Sequence, residues 1–307
     1  MTLIYKRVAL IGLGLIAGSM SLAIRRGKLA EEIVGYARSQ ETRDIAREIN
    51  LVDRVVESAE EAVKGADLVV LAVPVGAMGG VMEAIAPHLK EGAVVSDVGS
   101  VKQSVFDAVM PHMPEHAHFI GSHPMAGTEH SGPRAGFATL FDNRWCLIVP
   151  PADAEQAEVD KLAEFWRAIG ADIEFMEPER HDLVCAVVSH TPHLIAYTMV
   201  GVADDLRRVT EREVIKFSAA GFRDFTRIAA SDPTMWRDVF LTNKEATLEI
   251  LGRFTEELFA LQRAIRTGDG DTLFDYFTHT RAIRRGILEA GQDTDAPDFG
   301  RTKAAKE

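Results

Sequence analysis

The chain of 307 residues has little cysteine; Cys146 and Cys185 are the only two. Two thiols so far apart in sequence cannot build a disulfide framework, and they fit a reducing compartment, so a cytoplasmic location is expected. Positive charge is also scarce. With 46 acidic residues against 34 basic ones, the formal net charge is −12. That argues against a nucleic-acid partner, which would call for a basic face. An anionic small substrate stays open, because a few buried arginines decide that locally. Internal repeats and low-complexity segments are missing. The uncharged stretch from Val8 to Ile24, preceded by Lys6 and Arg7, has the outline of a signal peptide or short anchor. It is shorter than the roughly 20 apolar residues of a spanning helix, three glycines and two serines interrupt it, and no later segment reads as repeating it. Neither membrane nor nucleic acid is expected as a partner.

What the sequence does contain is an ordinary globular composition, 47% apolar and 26% charged. The length suits two domains of about 100–200 residues each. The most informative stretch runs from Val8 to Ser19. An apolar run of strand length breaks at Gly12 and Gly14 and continues as a helix-compatible sequence. A dinucleotide pyrophosphate needs that order. Gly12 permits the tight turn, Gly14 lets backbone approach the phosphates, and the first helical N–H groups, from Leu15 and Ile16 onward, point at the anion. Ala17 takes the third position of the glycine pattern, with Gly18 behind it.

The first half alternates strand and helix. Strands are expected at Val8–Ile11, Glu32–Tyr36, Asp67–Val73, Ala93–Val98 and Ala117–Ile120. Helices are expected at Leu15–Arg26, Glu41–Glu48, Ala77–His88 and Val101–Met110. The near-continuous apolar run of Asp67–Val73 is typical of a strand buried on both faces of a parallel sheet. Trp145–Val149 and Asp172–Phe175 read as late strands extending the same sheet. From about Pro178 the texture turns helical, over Glu179–Asp205, Pro233–Ile265 and Asp271–Ala290. The expected architecture is α/β: an N-terminal Rossmann-type doubly wound dinucleotide-binding domain over 1–176, then an all-helical substrate and dimerisation domain over 177–307. A helical domain that also hosts a cleft often pairs with a second copy, so a homodimer is expected.

Ligands of open α/β sheets sit beyond the carboxyl ends of the strands. The segments there are Val73-Pro74-Val75, Ser96 to Lys102, and Gly121 to Glu129. The helical half adds Ser189-His190-Thr191-Pro192-His193 and Gly221 to Ile228. Together with the glycine turn, these segments resemble, in this order, the prephenate/arogenate (cyclohexadienyl) dehydrogenase family of tyrosine biosynthesis. The resemblance runs from about residue 6 to residue 290.

The resemblance implies oxidation of a 4-hydroxycyclohexadienyl carboxylate by a nicotinamide cofactor. Hydride leaves ring C4, the 4-hydroxyl loses its proton, and carboxylate departs as CO2 while the ring aromatises. His123 matches the catalytic histidine, a neutral imidazole accepting that proton; read alone, it is a turn histidine before a proline. Ser100 matches the serine that bonds the same hydroxyl; read alone, it caps the helix Val101–Met110. Arg227 matches the arginine whose planar fork holds a substrate carboxylate. Arg223, four residues earlier, would share its helical face, and one of the two arginines could instead pair with Asp224. His193 and Ser189 match positions near the substrate's side chain, His190 a more structural one, and Thr128 and Glu129 pocket or gate positions. His193 inclines the pocket toward prephenate, with broad cyclohexadienyl specificity open. Some family members carry a fused chorismate mutase or a regulatory ACT domain, and this chain is expected to hold neither, so tyrosine feedback would act at the active site.

The cofactor is NAD or NADP. Where a dinucleotide fold usually ends its second strand in Asp or Glu, this chain reads Ala37-Arg38-Ser39. Arg38 and Ser39 suit a 2′-phosphate, which leans the reading to NADP or dual use, although Arg38 could equally stack on adenine. Val73 and Pro74 complete the expected cofactor-binding set with Gly12 and Gly14. A metal held by His190 and His193 is not expected, since only His181 lies near in sequence and Pro192 disturbs the helical pair. Two other classes stay open. A β-hydroxyacid-type dehydrogenase would use a catalytic lysine on the helical half. A non-catalytic dinucleotide sensor would have no reason to retain His123, Ser100 and Arg227 together.

Overall fold

A computed structural model describes residues 3–128, 130–207 and 219–289. The chain divides into two compact units, Met1–Leu248 and Glu249–Glu307, so the boundary expected at 176/177 falls inside the first. Its strands are β1 (Tyr5–Ile11), β2 (Ala30–Tyr36), β3 (Arg54–Val55), β4 (Leu68–Leu71), β5 (Val94–Asp97), β6 (His118–Phe119), β7 (Gly121–Pro124), β8 (Trp145–Val149) and β9 (Asp172–Phe175). Helices α1 (Leu15–Gly27), α2 (Gln40–Glu48), α3 (Ala59–Val63), α4 (Met78–Ile85), α5 (Gln103–Val109) and α6 (Gln156–Ala168) are interleaved with them.

Six strands form one parallel sheet in the order β3-β2-β1-β4-β5-β6, the doubly wound arrangement the alternation predicts. Alternate residues of β1 feed opposite sides. Val8 and Leu10 join a core with Met20 and Ile24 of α1, while Ala9 and Ile11 join another with Met78 and Met82 of α4. Burying each of these larger aliphatic side chains contributes about 1.5–3 kcal/mol. The uncharged stretch from Val8 to Ile24 is therefore β1, the glycine turn and α1.

One strand expectation is corrected. Trp145–Val149 and Asp172–Phe175 do not extend this sheet; they form a second, three-stranded one in the order β7-β8-β9, with β7 antiparallel and β9 parallel to β8. The cause is visible at Ser122. Ile120 still donates to the Val95 carbonyl, but the Ser122 N–H turns to the Asp97 side chain (3.3 Å). A carboxylate thus replaces the next ladder acceptor, and β7 leaves β5 to pair with β8.

After β9 the described residues contain no strand. Helix α7 (Pro178–Cys185) runs through a π-helical turn, Ala186–His190, into α8 (Thr191–Arg207). Pro192 has no N–H to give to the preceding turn, which is where the wider turn forms. By length and composition Pro178–Asp205 is apolar enough to cross a membrane, contrary to the expectation that no later segment repeats the first uncharged stretch. Helix α9 (Ala220–Thr226) is followed by a 3-10 turn, Arg227–Ala230, and by α10 (Pro233–Thr242), which Asp232 caps. The long helix expected over Pro233–Ile265 breaks at Asn243, and α11 (Lys244–Thr267) and α12 (Gly270–Glu289) follow. In the second unit Phe254, Leu258, Phe259, Phe274 and Phe277 are exposed.

Candidate active site

The glycine turn follows β1. Gly12 has φ +99°, and a Cβ there would stand 2.5 Å from the Ala72 carbonyl oxygen, so only glycine fits. That close approach also puts Val73, just beyond β4, against the turn. At Gly14 a Cβ would meet nothing within 4 Å. Gly14 occupies the N-cap of α1 and offers no side-chain cap, so the first N–H groups of α1, those of Leu15 and Ile16 among them, face a space that a phosphate can enter. Pro74 is exposed and opens a 3-10 turn beyond Val73. At the end of β2, Arg38 and Ser39 are exposed, Ser39 caps α2 through Thr42 N–H, and the Arg43 guanidinium grips the carbonyls of Ala37 and Arg38. These residues fit a dinucleotide: the turn supplies N–H donors for the diphosphate, and the β2 end carries a cation where many such folds carry an acid.

The chemistry-bearing groups gather at the ends of β5 and β7. His123 lies in β7 and is almost wholly buried. Its Nδ1 sits 2.9 Å from Nε2 of His181, whose own Nδ1 sits 2.8 Å from Oδ1 of Asp182. Cys185, one turn further along α7, places its sulfur 3.5 Å from His181 Nε2 and 3.7 Å from His123 Nδ1. These two nitrogens and the sulfur lie within 4.8 Å of one another, and the nitrogens are already joined by a hydrogen bond. Burial, with His181 and Lys102 adding to it, pushes His123 well below the ordinary histidine value. Burial likewise pushes His181 down to about 2 and His190 down to about 4. All three rings are neutral at neutral pH.

Ser100 follows β5 and does not cap the helix expected at Val101–Met110. Helix α5 begins only at Gln103, and its free N–H groups are taken by Asp182, which accepts from Lys102 N–H (2.7 Å) and Gln103 N–H (3.0 Å). The Ser100 carbonyl instead lies toward His190 and favours its protonated form. Asn243, at the break between α10 and α11, donates to the Asp182 carbonyl (2.8 Å) and faces His190 Nδ1 (3.0 Å). His190 Nε2 has no hydrogen-bond partner among the described residues.

The other substrate-binding candidates lie on α8, at the end of α9 and just after β7. His193 donates from Nδ1 to the Ser189 carbonyl (2.9 Å) and stacks on Trp236, ring centroids 3.7 Å apart. Arg227, exposed at the start of its 3-10 turn, bears electrostatically on His193 and, after burial, lowers its pKa. Arg223 is exposed one turn earlier, in α9. Thr128 is half-buried, and its hydroxyl accepts from His130 N–H. Glu129 lies outside the described residues. The structure therefore gathers Ser100, His123, His190, His193 and Arg227, and among the described residues it gives Thr128 this local bond.

His181, Asp182, Asp97, Lys102, Trp236 and Asn243 were not read as site residues from sequence. The available signal was charge out of place: Asp97 and Lys102 in an apolar stretch, and His181-Asp182 in the first turns of a helix.

A glycine turn at the end of β1, a strand order 3-2-1-4-5-6 and a neutral imidazole at a strand end define a dinucleotide-dependent oxidoreductase of the Rossmann class joined to a helical domain. Within that class the chain belongs to the prephenate dehydrogenase family. The family model for the prephenate dehydrogenase nucleotide-binding domain matches residues 20–175, and that for the dimerization domain matches residues 177–279. The chain is 40% identical over 284 residues to cyclohexadienyl dehydrogenase of Zymomonas mobilis, covering 92% of this chain and 97% of that protein. It is 34% identical over 281 residues to prephenate dehydrogenase of Bacillus subtilis, covering 91% of this chain and 76% of that one. Prephenate dehydrogenase from A. aeolicus, solved with hydroxyphenyl propionate and NAD+, superposes with a TM-score of 0.84 at 31% identity, over 92% of this chain and 98% of that one.

Proposed function

We propose that this protein catalyses the oxidative decarboxylation of prephenate, and of arogenate, to 4-hydroxyphenylpyruvate and tyrosine respectively. The observation that carries the reading is His123: a buried, neutral imidazole at a strand end, with one nitrogen committed to a neighbouring ring and the other left to accept a proton. His123 takes the proton of the ring 4-hydroxyl. Ser100, released from helix capping, hydrogen-bonds the same hydroxyl and orients it. Arg227 holds a carboxylate through its planar fork, and His193, fixed by Ser189 and Trp236, contacts the substrate's side chain. Thr128 is assigned to the pocket, as is Glu129, which lies outside the described residues.

Gly12, Gly14, Leu15, Ile16, Val73 and Pro74 would hold the dinucleotide, with Arg38 and Ser39 at its adenosine ribose. When bound, it supplies the hydride acceptor. An arginine and a serine at the end of β2, with no carboxylate there, support use of NADP or of both cofactors. The functional division falls at 176/177, between dinucleotide and helical parts. Two copies form the active protein; the match to a dimerization domain supports this, as do the exposed apolar side chains Val187, Val188, Met199, Val200 and Val202 along the helix Pro178–Asp205. The two free, buried cysteines support a cytoplasmic location.

The deciding experiment supplies prephenate or arogenate to the purified protein, each with NAD and with NADP, and follows cofactor reduction. Turnover with either substrate supports the reading, and the four rates rank substrates and cofactors. No reduction in any combination overturns it.

A further inference from the structure

We propose that His181 and Asp182 are positioning residues for this reaction: a carboxylate–imidazole–imidazole chain that fixes His123 as the tautomer with its lone pair on Nε2. The inference rests on the reading of His123 as the proton acceptor.

The chain of donors has one consistent direction. Backbone N–H groups can only donate, and Asp182 takes two of them, from Lys102 and Gln103. Burial raises the Asp182 pKa, while both N–H bonds favour the ionised form; an ionised carboxylate can only accept, so the hydrogen between it and His181 belongs to His181 Nδ1. A neutral imidazole with hydrogen on Nδ1 carries a lone pair on Nε2. Two ring nitrogens 2.9 Å apart need one hydrogen between them. His181 Nε2 has none to give, so it comes from His123 Nδ1. That leaves the His123 lone pair on Nε2, the only atom of the ring able to take the hydroxyl proton. Reversing the tautomer would set two lone pairs against each other in a buried site, which is costly.

Burial keeps His181 neutral over the working range, with its pKa pushed down to about 2. Cys185 lies against both facing nitrogens and keeps water from their bond. Asn243 holds the Asp182 backbone by its carbonyl. When His123 gains the substrate's proton, the new positive charge is shared through His181 toward a carboxylate.

The same carboxylate has a second hold on the site. Lys102 and Gln103 follow Ser100 by two and three residues, so Asp182 anchors the end of the loop that presents the serine. Both groups assigned to the substrate hydroxyl are thereby referred to one side chain, 59 positions from His123.

The test compares His181→Leu, which removes the acceptor, with His181→Gln, whose amide oxygen can accept the same hydrogen. His123→Asn and the His123→Asn/His181→Leu double variant complete the set. The kcat and KM for the substrate are measured, with nitrogen NMR of histidine-labelled protein reporting the His123 tautomer. His181→Leu is expected to lower kcat about 10²-fold, within the range of general-base effects, with KM little changed. Its His123 signals should move from the Nδ1–H form toward a mixture. His181→Gln should recover most of the rate and the wild-type signals. In the His123→Asn background the second change should cost nothing more, because a relay has no role once its ring is gone. Full turnover and an unchanged tautomer in His181→Leu would overturn the relay alone, as would losses that multiply in the double variant. Full turnover in His123→Asn would overturn the base assignment itself and the relay with it.

Discussion

Asp97 Oδ2 and Lys102 Nζ sit 2.6 Å apart, and neither side chain has any exposed surface. The pair also closes its own loop: Lys102 donates to the Gly99 carbonyl (2.7 Å), and Asp97 accepts from Gly99 N–H (2.7 Å). Removing one partner of such a pair leaves a buried charge uncompensated, which typically costs about 3–5 kcal/mol. Lys102→Met is expected to lose that much in a denaturant titration, and adding Asp97→Asn should return part of it. An unchanged midpoint in Lys102→Met would mean that the pair contributes little.

Stability should fall in mild acid for a reason specific to the buried rings. Burial holds His181 at about 2 and His190 at about 4, while an unfolded histidine titrates at about 6.5. Between those values the unfolded chain binds more protons than the folded one, so stability rises with pH there. The contribution is complete above the unfolded value and is lost as pH falls toward the folded ones. Melting temperature measured against pH should show this limb, and His190→Gln should make it shallower.

The activity profile carries a related signature. As the proposed base, His123 would have to be neutral to accept a proton, and burial depresses its pKa. The acidic limb of kcat/KM should therefore lie below the ordinary histidine value of about 6.5, with activity lost only as pH drops through the depressed one. A limb above that value would point to a different essential group.

Arg227→Ala should raise KM and leave kcat much less affected, because the proposed carboxylate contact exists before the transition state as well as in it. Arg227→Lys should not restore it, since an ammonium cannot reproduce the bidentate fork. Initial rates over a range of substrate concentration separate the two parameters.

The sheet and its glycine turn were legible because their signals are local: buried parallel strands such as Leu68–Leu71 are apolar throughout, and Gly12 sits where a side chain cannot. The second sheet was not. β7 is Gly-Ser-His-Pro, a sequence without strand character, and its pairing depends on β8, which lies more than twenty residues on. Ser100 carried a plausible local job, and only the folded chain shows Asp182 performing it instead. His123 was found by resemblance, whereas its ring partners lie in a different part of the fold and share no pattern with it. Asn243 interrupts what reads as one continuous helix; its buried amide, spent on Asp182 and His190, replaces the regularity it breaks.

The π-helical turn Ala186–His190 makes residue count along this helix a matter of phase. From His181 the chain steps four residues to Cys185 and then five to His190, and the wide turn is what keeps the last of these on the side of the first two. Each residue of an ordinary helix advances the direction of its side chain by about 100°. Losing one residue within the wide turn would leave steps of four and four, a regular helix with the same side chains facing the same neighbours. The same loss between His181 and Cys185, or between His190 and His193, would swing one histidine away from its contacts. This turn is therefore the place where related chains can differ by one residue in length and still hold the same three side chains together.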